Sequence, residues 1–138
     1  MAIEGEVRVR VRYAETDQMG IVHHANYLVW MEVGRVELCR NMGVRYRDME
    51  QDGVLLTVVE IACRYIAPAH YDDEVIVKTA IAQSSTRLVR FGYEIALQES
   101  GRKLATGAST HVFCASSLRP CRLPVKYWPV FGLDAAKA

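Results

Sequence analysis

The stretch Tyr13-Ala14-Glu15-Thr16-Asp17-Gln18-Met19-Gly20-Ile21-Val22-His23-His24-Ala25-Asn26-Tyr27, continued through Trp30 and Met31 to Asn41, decides the fold, because the periodicity of the chain changes within it. Before the change, residues 6–13 read Glu-Val-Arg-Val-Arg-Val-Arg-Tyr. Val7, Val9, Val11 and Tyr13 fall on one side, and Glu6, Arg8, Arg10 and Arg12 on the other. A strict period of two is the pattern of a half-exposed strand. From about His24 the apolar positions become Tyr27, Met31, Gly34 and Leu38, with Trp30 alongside and Glu32, Arg35 and Arg40 largely off that stripe. This spacing predicts an amphipathic helix to about Asn41, stopped at Gly43. Gly34 in mid-helix costs about 1 kcal/mol relative to Ala; close approach of the helix backbone to a packed sheet would offset it. Ala14 to Gly20 form a polar loop between strand and helix.

Downstream the pattern is mostly strand. Arg45 to Gly53 reads as a charged connector, Val54 to Tyr65 is β-rich, and Pro68 marks a turn. Glu74 to Gln83 places Val75, Val77, Thr79 and Ile81 on one face, and Leu88 to Glu99 does the same with Val89, Phe91, Tyr93, Ile95 and Leu97. Glu99-Ser100-Gly101-Arg102 is a hairpin turn into a returning strand, Lys103 to Ala115. Pro120 and Pro124 break that strand, and a short helix is expected near Val125 to Trp128. One long helix followed by consecutive strands predicts a single α+β domain over residues 1–138, a curled antiparallel sheet whose concave face covers the helix.

Composition narrows the function classes. With 138 residues the chain can bury a core without metal or disulfide staples. Its 17 Lys and Arg against 16 Asp and Glu leave a formal charge of +1, so it lacks the basic excess of a nucleic-acid coat. No segment approaches the roughly 20 apolar residues of a membrane span. Met1 to Glu6 has neither the basic nor the apolar region of a signal peptide. Cys39, Cys63, Cys114 and Cys121 show no CxxC spacing, which suggests a reduced, cytoplasmic protein with idle thiols and no zinc site.

The chemistry-bearing residues lie at the start of the helix. Asp17 is followed by Gly20 and then by His23-His24. Unpaired N–H groups at a helix N-terminus can hold a developing oxyanion. A nearby carboxylate can attack a carbonyl or deprotonate a water. An Asp-x-x-Gly loop is by itself more often a turn, so these residue types alone also leave Asp17 as a turn or capping residue.

Asp17 to Tyr27, followed by Trp30, Glu32, Arg35 and Glu37, resembles the signature of the hotdog-fold thioesterases. The closer subgroup is the 4-hydroxybenzoyl-CoA thioesterase type, which includes the Tol-Pal-associated acyl-CoA thioesterases. Tyr65-Ile66-Ala67-Pro68 with Asp72-Asp73, Gly92, and Arg119 to Pro124 extend the resemblance over nearly the whole chain. The resemblance implies a hotdog fold and an acyl-CoA thioesterase that needs no metal or organic cofactor. It also implies a homodimer with sites at the subunit interface, or a homotetramer built as a dimer of dimers. Asp17 would be nucleophile or general base, and the backbone amides around His23 and His24 the oxyanion site. His24 would act directly or support the Asp17 loop. Gly20, His23, Tyr27 and Glu32 are the remaining candidates around the acyl group. Tyr27 and Trp30 can equally be core, and Glu32 and Arg35 can be members of helix ion pairs. For the coenzyme A phosphates the candidates are Arg87 and Arg90, with Arg122 and Lys126 also possible, since guanidinium forks match phosphate. Two departures from the family pattern are His23, where many members carry Tyr, and Ser116, where an acidic residue is frequent. Glu60 would face outward or pair with Arg64, and His70 and His111 have no evident partner. The rival readings are a hotdog hydratase or dehydratase, whose Asp and His are placed differently, and a non-catalytic acyl-thioester binding protein, which has no need of Asp17.

Overall fold

The alternating N-terminal stretch forms β1 (Glu4–Arg10), with Val7 and Val9 turned inward and Glu6, Arg8 and Arg10 exposed. The computed structural model describes residues 3–134. The strand was expected to run to Tyr13 but ends at Arg10. Val11 is still buried, and then the Glu15 carboxylate accepts the Arg12 N–H at 2.7 Å and closes a 3-10 turn, Tyr13–Glu15. Tyr13, placed on the inner face by the alternation, is 78% exposed as a result.

Helix α1 (Ala25–Asn41) follows, and Tyr27, Trp30, Met31, Gly34 and Leu38 are all buried as the spacing predicts. Arg35 corrects that reading. It lies four residues after Met31, on the buried face, and is 7% exposed. Among the described residues neither Arg35 nor Glu32 forms an ion pair, and Glu32 is exposed. Gly43, at φ +95°, ends the helix as expected. The expected connector contains a short helix, α2 (Tyr46–Gln51), which fully buries Met49 and starts beside an Arg45–Asp48 ion pair at 2.9 Å.

The remaining strands agree with the sequence to within a few residues: β2 (Leu55–Tyr65), β3 (Glu74–Ser84), β4 (Leu88–Leu97) and β5 (Lys103–Cys114). The closing helix is a 3-10 helix, Val125–Phe131. All pairings are antiparallel, in the order β1-β3-β4-β5-β2. This is the curled sheet with one long helix of a hotdog fold. Val75, Val77, Val89, Phe91 and Ile95 form the sheet side of the core. Helix α1 lies mainly over β1 and β3. A methyl at Gly34 would overlap the Thr79 hydroxyl and sit 3.0 Å from Val77 Cγ1, so this residue sets how closely helix and sheet approach.

At the other edge, β2 has no further strand beside it among the described residues, and Val58, Val59 and Ile61 are 45%, 57% and 36% exposed. The four cysteines are free, with Cys39 and Cys114 buried. Among the described residues no helix is long and apolar enough to cross a membrane.

His70 and His111, unpartnered in the sequence reading, both have neighbours. His70 lies 3.8 Å from Asp73. His111 is buried, its Nε2 2.8 Å from the Ser109 hydroxyl, which in turn lies 2.6 Å from the Tyr93 hydroxyl. Burial, reinforced by the Arg35 charge, pushes the His111 imidazole down from 6.5 to about 4. The unfolded chain therefore takes up a proton below about pH 6.5 that the folded protein refuses until about 4, and stability falls as pH drops through that window. Denaturant titrations from pH 7 to 4 should show a loss of up to roughly 3 kcal/mol. His111→Gln should flatten that slope while lowering stability at pH 7.

Candidate active site

The polar loop is tied across its neck by a bridge between Thr16 and Val22. Inside it the Asp17 N–H donates to the Ile21 carbonyl at 3.0 Å, and the Gly20 N–H donates to the Asp17 carbonyl at 2.9 Å. Gly20 takes φ +81°, which a side chain would strain. One Asp17 carboxylate oxygen accepts the Met19 N–H at 2.8 Å; the other has no hydrogen bond among the described residues. Asp17 is thus a turn residue through one oxygen and has the second available for chemistry.

The start of α1 accounts for its N–H groups one by one. The His23 N–H donates to the Glu15 carbonyl at 2.8 Å, and the Asn26 and Tyr27 N–H groups donate to His23 and His24 carbonyls. The Ala25 N–H donates to the His23 imidazole Nδ1 at 3.3 Å. That leaves the His24 N–H without a partner among the described residues. The sequence reading pointed to the amides around both histidines; the His23 amide is already engaged.

Asp17, His24 and Tyr27 line one cavity of about 310 Å³, whose remaining walls include Met19, Ile21 and Ile66. Tyr27 is both core and cavity wall: it is buried, and its hydroxyl accepts the Ala69 N–H at 3.2 Å. The Tyr65 hydroxyl donates to the His24 carbonyl at 2.8 Å, and the Tyr65 ring packs edge-on against Tyr27. A wider depression of about 740 Å³ lies over Ala80 and Gly92 but contains none of these groups.

Other candidates fall elsewhere. His23 is exposed, its ring 4.3 Å from that of His24, and it does not line the cavity. Gly20 acts through the turn, and Glu32 is not among the lining residues. Arg87 and Arg90 are exposed at the start of β4. The Phe113 N–H donates to the Arg87 carbonyl, whereas Tyr65 pairs with Ala105 at the far end of β5. At about 3.3 Å per residue the two ends are roughly 26 Å apart. Arg122 bonds Thr86 at 3.4 Å, and Lys126 is paired with Asp52 at 2.6 Å. Glu60 is exposed, at a register shift in β2. No cluster of three or more metal-ligating side chains occurs among the described residues.

Sequence reasoning missed Glu15 and gave Tyr65 no role. Glu15 is 3% exposed and accepts the Trp30 indole N–H at 3.0 Å. Burial alone would raise its pKa, but the Arg12 N–H, the indole and the Arg12 guanidinium together hold it below the ordinary value. Its spacing of three from Arg12 is that of a capping box, but Arg12 has no accepting side chain, so the sequence carried no usable signal for it.

Comparison with known proteins bears on the fold and the family. The family model described as the thioesterase-like superfamily matches residues 11–131. YneP of Bacillus subtilis (strain 168), whose name assigns it acyl-CoA thioesterase activity provisionally, is 47% identical over 104 residues, 75% of each chain. The acyl-CoA thioester hydrolase YbgC of Escherichia coli O157:H7 is 30% identical over 118 residues, 84% of this chain and 87% of that one. The crystal structure of a DHNA-CoA thioesterase from Staphylococcus aureus superimposes with a TM-score of 0.85 at 32% identity, covering 91% of this chain and 84% of that one.

The loop geometry carries its own test. A Cβ at Gly20 would meet nothing within 4 Å, so Gly20→Ala should lower stability only through the positive φ, by about 1–2 kcal/mol. Gly20→Asn should recover part of that loss, because Asn tolerates the left-handed region. Equal denaturation midpoints for wild type and Gly20→Ala would show that the turn relaxes freely.

Proposed function

The chain belongs to the thioesterase-like superfamily, and from this premise we propose that it hydrolyses an acyl-CoA thioester to a carboxylic acid and coenzyme A. The observation that carries the reading is the cavity itself. One loop carboxylate with an unengaged oxygen and the one unengaged N–H of the helix start belong to residues on the same largely apolar wall. The thioester carbonyl oxygen would accept the His24 N–H, where the helix end also favours negative charge. Asp17 would then act on the acyl carbon in one of two ways. As nucleophile it forms a mixed anhydride, expels the thiolate and is regenerated by water. As general base it takes a proton from a water that attacks, and returns that proton to the departing thiolate. Neither route needs a metal or an organic cofactor. Ile21, Val22, Ala67 and Pro68 make the rest of the wall suited to an apolar acyl group. The four free thiols support a cytoplasmic location.

Release of free thiol from a panel of acyl-CoAs tests the activity, and enoyl absorbance in the same samples tests the hydratase alternative. Asp17→Asn should fold and lose about 10²-fold or more in kcat. His24→Pro deletes the amide donor at a residue whose φ of −55° suits proline. It should lose on the order of 10²-fold or more in kcat, while His24→Ala, which keeps the N–H, should lose much less. Near wild-type turnover by Asp17→Asn would sink the assignment.

The expected homodimer has a specific basis in β2. Its free edge and exposed Val58, Val59 and Ile61 suit pairing with a second copy. Two copies joined antiparallel along β2 would bring the Leu55 end of one beside the Tyr65 end of the other. The Leu55 end pairs with Cys114, next to Phe113 and Arg87. Arg87 and Arg90 of one copy would thereby approach the cavity of the other and could meet the coenzyme A phosphates. A tetramer would be assembled from two such dimers. Light scattering should report a dimer or a multiple of it, and Ile61→Asp should yield monomers with much reduced kcat/KM. A fully active wild-type monomer would overturn this arrangement.

A further inference from the structure

Glu15 is a buried acid that the chemistry above leaves unused. Its carboxylate accepts the Arg12 N–H at 2.7 Å through Oε1, and the Trp30 indole at 3.0 Å and the Arg12 guanidinium at 3.5 Å through Oε2. Its main-chain carbonyl accepts the His23 N–H at 2.8 Å and the Asn26 side-chain amide at 2.9 Å. One residue, two positions before Asp17, is therefore bonded both to the turn that leads into the catalytic loop and to the first turns of α1. We propose that Glu15 is a positioning residue, which fixes the Asp17 loop against the helix start and determines that the His24 N–H is the amide left for the substrate. This rests on the thioesterase reading of the same cavity.

The selection of the amide follows from the carbonyl. The His23 N–H is engaged because the Glu15 carbonyl sits against it, and the helix then begins with His24 as the next donor. The carbonyl is held in place because the side chain is clamped from two elements at once. Arg12 belongs to the segment before the site and Trp30 to the second turn of α1. A buried carboxylate is tolerable only when its oxygens are satisfied, and here each oxygen has its own N–H donor. Glutamine would copy the shape and fail the chemistry. Whichever way its amide is turned, an NH2 group faces either the Arg12 N–H or the indole N–H. Aspartate is one methylene too short to span both.

Glu15→Gln should lower kcat 10- to 100-fold with KM within about 3-fold, because the cavity walls that bind substrate are untouched. Trp30→Phe keeps an aromatic side chain, though a smaller one, and removes the indole donor; it should lose less, and in the double variant the two losses should not multiply. Asp52→Asn, which breaks the distant Asp52–Lys126–Tyr127 contacts, controls for stability and should keep kcat even at a matched loss in Tm. Hydrogen exchange should quicken in residues 16–27 of Glu15→Gln and stay unchanged in β3 and β4. A folded Glu15→Gln with wild-type kcat would overturn the proposal, as would an Asp52→Asn that loses as much kcat at the same Tm. If the wild-type protein cleaved no acyl-CoA, the thioesterase reading would fail. Exchange would then decide the clamp: local quickening over 16–27 upholds it, and an unchanged pattern refutes it.

Discussion

The contact of Gly34 with Thr79 sets the height of α1 above the sheet, and the rest of the molecule is arranged around that height. With a methyl at 34 the helix would be pushed off β3, at a cost of about 1–3 kcal/mol for overpacking a core position. Because the helix lies so low, Leu38 and Met31 fill the space beneath it. Its N-terminus comes down between the Asp17 loop and the segment after β2. Tyr27 reaches the Ala69 N–H from there, and Val22 ties the loop to the same residue through the Ala69 carbonyl at 2.9 Å. The cavity is the gap these three pieces leave. Its shape is thus a consequence of helix–sheet packing made seven or more residues away along the helix.

Two buried charges show how the interior separates structure from chemistry. Glu15 is surrounded by N–H donors and stays ionised below its ordinary pKa. Arg35 has no carboxylate partner among the described residues; Cys39, Tyr46, Tyr93 and His111 feel its charge, and its Nε and one terminal nitrogen have no hydrogen bond among the described residues. Burial keeps both phenols protonated, and the cation helps to keep the imidazole neutral, so the group beneath the helix holds a single positive charge. No member of it lines the cavity. Asp17 and His24, which do line it, lie in the loop and at the helix start.

The elements that were legible in the sequence are those with an uninterrupted period. The stripe of Tyr27, Met31, Gly34 and Leu38 gave the helix and its buried face, and the alternation in residues 74–97 gave two strands with their inner side. The failures have two causes: a local polar contact overrode the alternation, and a charge was taken as a sign of exposure. Arg12 and Glu15 closed a turn where alternation called for the strand to continue to Tyr13, so Tyr13 ended in solvent. Arg35 was read as surface because it is charged, although its spacing from Met31 puts it on the buried side. Asp17, Gly20 and His24 were singled out because resemblance marked them, and the structure brings Asp17 and His24 to one cavity. Glu15 was not, because nothing local distinguishes a buried clamp from a solvent-exposed loop acid. Its partner Trp30 lies fifteen residues on, across a loop whose path the sequence does not give.

The distribution of charge along the sheet links catalysis to assembly. Asp17 and the helix start lie by one end of β2 and the exposed Arg87 and Arg90 by the other, so in the proposed dimer each cavity would face the arginines of the second copy. The same strand that separates them has an unpaired edge, and its inner residues Val58 and Ile61 are left uncovered because α1 leans toward β1 and β3. A helix leaning the other way would have covered these β2 residues. The same lean accompanies the cavity at the helix start and the exposed edge, and the proposed two-fold pairing along that edge would cover the apolar residues and bring Arg87 and Arg90 of one copy toward the cavity of the other.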